Sequence, residues 1–137
     1  MGVKLKKDSI DLGIVVNDGE AALKFYRDTL GFEHVQSNPM PGGGGGTMHR
    51  LLCGTSLIKV VVPESPIGTT AAPGGIMGAT GYRYWTISVS NLEEIVQACA
   101  DAGYKVVVQP REIRENVSIA IVEDPEGNWV EFLDSNE

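Results

Sequence analysis

The sequence has few basic residues and no long apolar run, and these shortages exclude two classes of partner. Its 11 Lys and Arg stand against 18 Asp and Glu, which gives a formal net charge of −7. Proteins that hold a nucleic-acid backbone need a basic surface, which this balance does not supply. No apolar run approaches the ~20 residues that span a bilayer, and no apolar signal-peptide core follows the basic N-terminal residues. We therefore expect a cytoplasmic protein that binds neither nucleic acid nor membrane.

Cysteine and histidine are also scarce, with two of each in 137 residues. Cys53 and Cys99 lack the spacing of a metal site, and in the cytoplasm they are interpreted as small buried apolar residues rather than as a disulfide. His34 is predicted to lie at a strand edge or in the core. The hydrophobic fraction of 42% and the charged fraction of 21% are ordinary for a compact soluble domain.

The clearest local pattern is Asp-Pro-Glu-Gly-Asn at residues 124–128. Pro presets φ, Gly takes a positive φ at little cost and Asn tolerates the left-handed region, so this pattern predicts a tight turn between two antiparallel strands. On the strand that follows, alternation puts Trp129, Glu131 and Leu133 on one face. A carboxylate on an enclosed face must be paired or bound to a cation. Glu131 is therefore the first candidate functional residue.

Both halves of the chain carry the same order of predicted elements, a strand, a helix and three strands. In the first half the elements are residues 8–17, 18–30, 32–36, 48–53 and 57–62. In the second half they are residues 82–89, a helix from 91 to 103, and residues 104–108, 117–123 and 128–133. The first helix is predicted to be capped by Asn17 or Asp18 and to stop at Gly31. The second is predicted to be capped by Ser90 or Asn91, with Glu94 in the capping-box position, and to stop at Gly103. Because equivalent positions recur at a nearly constant offset, we infer an internal duplication.

The duplication predicts an α+β fold of two βαβββ modules, residues 8–63 and 82–134, joined by a linker at 64–81. Each module alone would leave one face of its sheet uncovered, so two modules are expected to join as a curved mixed sheet around an enclosed cleft. The glycine run at 42–46 lacks the Gly-Lys sequel of a phosphate loop and is interpreted as a mobile loop.

Two segments carry a family resemblance. Asp-Leu-Gly-Ile-Val-Val-Asn-Asp with Ala-Leu-Lys-Phe-Tyr-Arg-Asp-Thr-Leu-Gly-Phe opens the chain, and Glu-Asp-Pro-Glu-Gly-Asn-Trp-Val-Glu-Phe closes it. Together they resemble the vicinal oxygen chelate superfamily of glyoxalases, bleomycin-resistance proteins and extradiol dioxygenases. The resemblance implies a glyoxalase-like fold over one domain, residues 1–137, and a homodimer. It does not imply one reaction, because the superfamily includes lyases, epimerases, dioxygenases, thiol transferases and drug-binding proteins.

In metal-using members four side chains converge on one divalent ion, and the resemblance carries these positions onto Asp11, Lys59, Tyr84 and Glu131. Relatives commonly have His at the first and third of them. A neutral Tyr is a poor ligand and a protonated Lys is none, so we expect no cofactor of the usual kind. If a metal is bound, its ligands are expected to be Glu131 and Asp11. Otherwise the Lys59 ammonium is predicted to compensate both carboxylates, with hydrogen bonds from Tyr84.

Further candidates share or adjoin this face. His49 is expected on a strand that faces the pocket region, as a base or donor that contacts substrate. Trp129 and Tyr82 are predicted to stack on a planar ligand. Arg50 is predicted to meet an anionic substrate group, whereas Arg83 is interpreted as surface charge.

The leading hypothesis is a glyoxalase-like enzyme without the usual metal, which performs lyase, isomerase or epimerase chemistry next to a carbonyl. Lys59, Glu131, Asp11, Tyr84 and His49 would act as acid, base and oxyanion-stabilising groups. The second hypothesis is a non-catalytic drug-binding protein of the bleomycin-resistance type, which the acidic charge and the aromatic residues favour. The third is a metal-dependent glyoxalase or dioxygenase relative. All three take a small-molecule ligand.

Overall fold

The computed structural model describes residues 2–40, 42 and 44–136. They divide into two units between Gly68 and Thr69, within the stretch predicted as a linker. Each unit contains a four-stranded mixed sheet with helical structure. The α+β fold with two βαβββ modules is therefore confirmed, whereas the joint cleft stays a prediction. No helix in these ranges is long and apolar enough to cross a membrane.

The first unit follows the predicted order of elements. They are β1 (Leu12–Val15), α1 (Gly19–Leu23), a π-helical segment (Lys24–Thr29), β2 (Glu33–Pro39), β3 (Thr47–Cys53) and β4 (Ser56–Val62). The strands lie in the order β1-β4-β3-β2. β1 runs parallel to β4, and the other neighbours are antiparallel. The glycine run at 42–46, predicted as a mobile loop, lies partly outside the described residues.

The second unit repeats this topology. Its elements are β5 (Tyr84–Ser88), α2 (Leu92–Asp101), β6 (Val106–Arg114), β7 (Val117–Glu123) and β8 (Trp129–Ser135). The strands lie in the order β5-β8-β7-β6, again with one parallel pair, β5 and β8. A 3-10 turn, Gly75–Met77, precedes β5.

The first helix begins as predicted and stops as predicted before Gly31, which has φ +84°, but its second half has a different form. The Asp18 side chain accepts a hydrogen bond of 3.0 Å from the Ala21 backbone N–H and so caps α1. After Leu23 the chain widens into π-helix instead of continuing as α-helix. A π-helix turns less per residue, so the consecutive rings of Phe25 and Tyr26 both reach the core, where both are 0% exposed. Helical spacing alone does not predict this change.

Several predicted element ends were wrong, and each has a local cause. β1 is shorter than residues 8–17, because the side chains of Lys7 and Ser9 bond the Thr55 carbonyl instead. Ile10, within the segment predicted as a strand, is 83% exposed. β6 runs well past residue 108 because its polar second half pairs with β7. β5 begins at residue 84, so Tyr82 lies outside it and is fully exposed.

The second helix has the predicted cap with a different bond. Asn91 is the N-cap of α2, and its side-chain amide donates 3.1 Å to the Glu94 carboxylate rather than capping a helical N–H. Gly103 ends the helix region with φ +92°. α2 packs on the sheet of its own unit through Leu92, Val96 and Cys99.

Both cysteines are free thiols, so no disulfide forms. Cys99 is buried in the core as predicted, and burial raises the pKa of its thiol to about 11. Cys53 lies half-buried at the end of β3. The prediction of two buried cysteines is therefore confirmed for Cys99. It was wrong for Cys53, because this residue adjoins the exposed turn between β3 and β4.

The closing hairpin has the predicted turn. The Asp124 carboxylate accepts hydrogen bonds of 2.8 Å from the Glu126 N–H and 2.8 Å from the Asn128 N–H, and Gly127 has φ +89°. On β8, Val130 and Phe132 are 0% and 1% exposed, whereas Glu131 and its neighbours on the opposite face are half-buried. The turn therefore sets the predicted register for Glu131.

Candidate functional site

The second unit places Glu131 beside a hydroxyl group. β5 and β8 run in parallel, with Thr86 opposite Glu131 and Tyr84 opposite Trp129. The Thr86 hydroxyl donates a hydrogen bond of 2.6 Å to Glu131 Oε1. Hydrogen bonds to a charged acceptor are shorter and stronger than neutral ones, so Thr86 fixes the direction of the carboxylate. Sequence reasoning missed Thr86, although its parity with Tyr84 could have revealed it.

Trp129 is held from two sides. Its indole N–H donates 3.2 Å to Glu123, and Gly75 packs so closely on the ring that a Cβ at this position would overlap it. Arg83 holds the turn in place through hydrogen bonds of 2.7 Å to the carbonyls of Gly75 and Ala72. The interpretation of Arg83 as surface charge was therefore wrong, because its guanidinium is bound by linker carbonyls.

A groove of about 740 Å³ lies beside this turn, lined by Ile76 and residues 79–86. Tyr84 is 47% exposed there and Tyr82 fully exposed. Thr86, the partner of Glu131, forms part of the same lining. The second unit therefore offers an open aromatic surface next to a positioned carboxylate.

In the first unit Asp11 is engaged by a residue that the sequence did not single out. Its Oδ1 accepts 2.6 Å from the Lys7 ammonium and 2.9 Å from the Leu57 N–H. These two bonds, with Lys7 as the larger cause, hold the pKa of the Asp11 carboxyl below its usual value. Lys59 adds only a minor electrostatic effect. The predicted ion pair between Asp11 and Lys59 is thus replaced by a pair with Lys7.

Lys59 instead faces another cation. In the ladders it lies opposite Gly13 on one side and Arg50 on the other. Arg50 bonds Asn38 at 3.0 Å. Among the described residues of its unit, the half-buried Lys59 ammonium has neither an ion pair nor a hydrogen bond. Like charges directly opposite one another destabilise a sheet, so this pair lacks a structural rationale of its own.

His49 lies on the other face of the same sheet. Its ladder partners are Val60 and Ser37, and Val60 is 0% exposed. His49 Nδ1 lies 2.7 Å from the Ser37 hydroxyl, which lies 2.8 Å from His34 Nε2. Burial first, and then the charge of His34, lowers the pKa of His49. His49 was expected on a strand that faces the pocket region; the register places its side chain on the face opposite Lys59 and Arg50.

A family model described as the Glyoxalase/Bleomycin resistance protein/Dioxygenase superfamily matches residues 9–132. The chain belongs to this superfamily. No curated protein matches it. The recognition made from the opening and closing segments is confirmed.

Solved structures show the same fold at low sequence identity. A glyoxalase family protein from Bacillus cereus has a TM-score of 0.82 and 16% identity, covering 97% of this chain and 96% of the other. TnmS3, an antibiotic binding protein from a Streptomyces species, has a TM-score of 0.67 and 17% identity over 97% and 100%. A glyoxalase I mutant from Zea mays has a TM-score of 0.71 and 18% identity over 88% of this chain and 42% of the other.

Two of the four positions that the resemblance assigns to a metal carry donors that fit a divalent ion poorly. Lys59 offers no lone pair while protonated, and Tyr84 is a weak neutral donor. One carboxylate oxygen of Asp11, Oδ1, is bonded to Lys7 and to a backbone N–H. Asp11 and Lys59 belong to the first unit, and Tyr84 and Glu131 to the second. Within either unit, the described residues contain no group of three His, Cys, Asp or Glu placed to hold a metal.

Proposed function

We propose that this superfamily member is a small-molecule enzyme. Its substrate is a carbonyl compound that carries an anionic oxygen group, and Lys59 and Arg50 bind that group. The observation that carries the proposal is the cross-strand pair itself, two cations side by side, neither of which forms an ion pair with a carboxylate among the described residues of their unit. In an acidic protein with a net charge of −7, such a pair is explained by an anionic ligand.

The same pair suits the reaction class. Removing a proton next to a carbonyl builds negative charge on oxygen, and a fixed ammonium and guanidinium stabilise that charge in the transition state. As a separate proposal for the second unit, Glu131 acts as a base there, since its carboxylate is directed by the Thr86 hydroxyl. No step in this mechanism requires a divalent metal. We also propose that the active form is a homodimer, and sedimentation at micromolar concentration measures this.

The experiment uses 2-oxo carboxylates of increasing size in deuterated buffer. Proton NMR reports both binding, by line broadening, and exchange of the hydrogen next to the carbonyl. Lys59→Met should weaken binding by about tenfold to a hundredfold, since a hydrogen bond to a charged group contributes roughly 1.5–3 kcal/mol. Lys59→Arg, which keeps the charge, is the matched control. Binding that is unchanged in Lys59→Met would refute the anion-binding site. If the 2-oxo carboxylates bind but none of them exchanges its hydrogen, the proposed enzyme activity is refuted.

A second candidate function is sequestration of a planar cationic compound in the groove of the second unit. The specific observation is the exposed Tyr82 and Tyr84 beside the carboxylate partner Thr86. Aromatic faces bind cationic rings by stacking and by cation–π attraction. Here Tyr84→Ala and Glu131→Gln should each weaken binding of a cationic dye, and Lys59→Met should not.

A further inference from the structure

A β-bulge in β2 creates a cluster that uses both histidines of the chain. The pairing of β2 with β3 shifts between His34 and Gln36, so Val35 has no partner of its own. A bulge adds one residue and reverses the alternation beyond it. His34 and Ser37, three positions apart, therefore share one face with His49 despite their odd spacing.

The two rings converge on one point. His34 Nε2 lies 2.8 Å and His49 Nδ1 2.7 Å from the same Ser37 hydroxyl oxygen. The rings are nearly perpendicular, at 77°, with centroids 5.5 Å apart. Ser37 is exposed and both histidines are half-buried, so solvent reaches the convergence point while the imidazoles are held by the sheet.

We propose that His34, Ser37 and His49 form a binding site for a late first-row transition ion such as Cu²⁺, Ni²⁺ or Zn²⁺. Imidazole nitrogen is a preferred ligand for these ions. The Ser37 hydroxyl oxygen occupies the convergence point, so it must rotate aside for an ion to sit there. Metal–nitrogen bonds of about 2.0–2.1 Å then require each ring to approach by less than an ångström. His34 Nε2 and His49 Nδ1 would be the two protein ligands, and the Ser37 hydroxyl or water would complete the sphere.

The surrounding charge permits a cation. Arg27 is the nearby positive side chain that acts on His49, and its charge is offset by Asp28, which it bonds at 2.8 Å. The site does not depend on Lys59 or Glu131. The proposed metal site is therefore independent of the proposed enzyme activity, and a test that refutes one does not refute the other.

The test is Cu²⁺ titration of the whole protein, followed by calorimetry and by electron paramagnetic resonance. One ion per chain should bind, with hyperfine coupling to two nitrogens. His34→Gln and His49→Gln should each weaken binding by about tenfold or more, since losing a ligand costs no less than losing an outer-shell partner. Gln36→Ala, on the same strand and the opposite face, is the matched control and should leave binding unchanged.

A second measurement needs no variant. The chain has two histidines, so two imidazole signals in the proton NMR spectrum should broaden together at a small fraction of an equivalent of Cu²⁺. Broadening of one signal alone, or full binding retained in His34→Gln, would overturn the proposal. Loss of binding in Glu131→Gln but not in His34→Gln would overturn it as well and would locate the ion elsewhere.

Discussion

Thr86 and Glu131 are joined across the parallel pair of β5 and β8 by a hydrogen bond of 2.6 Å. The hydroxyl donates to a half-buried carboxylate, so its removal leaves Glu131 without its partner in the described part of the second unit. Thr86→Val should lower the free energy of unfolding by about 1 kcal/mol, the net contribution of one such bond. Thr86→Ser, which keeps the hydroxyl, should stay closer to the wild type in urea denaturation. A larger effect of Thr86→Ser than of Thr86→Val would mean that the methyl group, not the bond, matters.

Gly75 has φ +60° and lies against the Trp129 ring. Gly75→Ala should destabilise the protein by about 1–3 kcal/mol, because the new Cβ requires both a strained backbone and displacement of the indole. Gly68→Ala is the matched control, since a Cβ there meets nothing within 4 Å. Thermal unfolding followed by tryptophan fluorescence should separate the two. Similar melting temperatures would show that the turn does not press on Trp129.

The sequence predicted what depends on local chemistry. Three such features follow from neighbouring residues and are present: the Asp124 turn, the Asp18 cap, and the alternation that puts Glu131 and Val130 on opposite faces of β8. The bulge at Val35 reverses alternation, so no pattern could have placed His34 with Ser37. Likewise the Lys7–Asp11 pair depends on where β1 begins, which is set by contacts with the distant Thr55 carbonyl.

Asp11 should titrate below its ordinary pKa because Lys7 bonds its ionised form. Since its folded pKa is lowered, the stabilisation by this pair is present above the unfolded value of 3.8 and is lost as the pH falls through the folded pKa. Carboxyl NMR of Lys7→Met should show the Asp11 midpoint moving up toward 3.8. High salt should weaken the shift, because the pair is exposed. A midpoint unchanged by the substitution would assign the shift to the Leu57 N–H.

His49 should make the protein sensitive to mild acid. Burial, and then the charges of His34 and Arg27, lower its pKa below the ordinary 6.5, so the unfolded chain binds a proton at a higher pH than the folded one. Stability should therefore fall as the pH drops through 6.5 and level off below the folded pKa. Melting temperatures between pH 8 and pH 5 should flatten in His49→Gln. In His34→Gln the pKa of His49 should rise, and a steeper acid loss than in the wild type would contradict this account.

Lys59→Met offers the sharpest separation of fold from function. Because Lys59 lies opposite Arg50 without a carboxylate partner among the described residues of its unit, removing its charge relieves repulsion. We expect the free energy of unfolding to rise by roughly 0.2–1 kcal/mol, while binding of an anionic ligand weakens by about tenfold to a hundredfold. Residues retained at a cost in stability are typical of functional sites. If Lys59 compensated buried carboxylates, as the sequence suggested, the same substitution would instead cost about 3 kcal/mol or more. Denaturation in urea, with Arg50→Met measured beside it, decides between an anion-binding pair and a structural ion cluster.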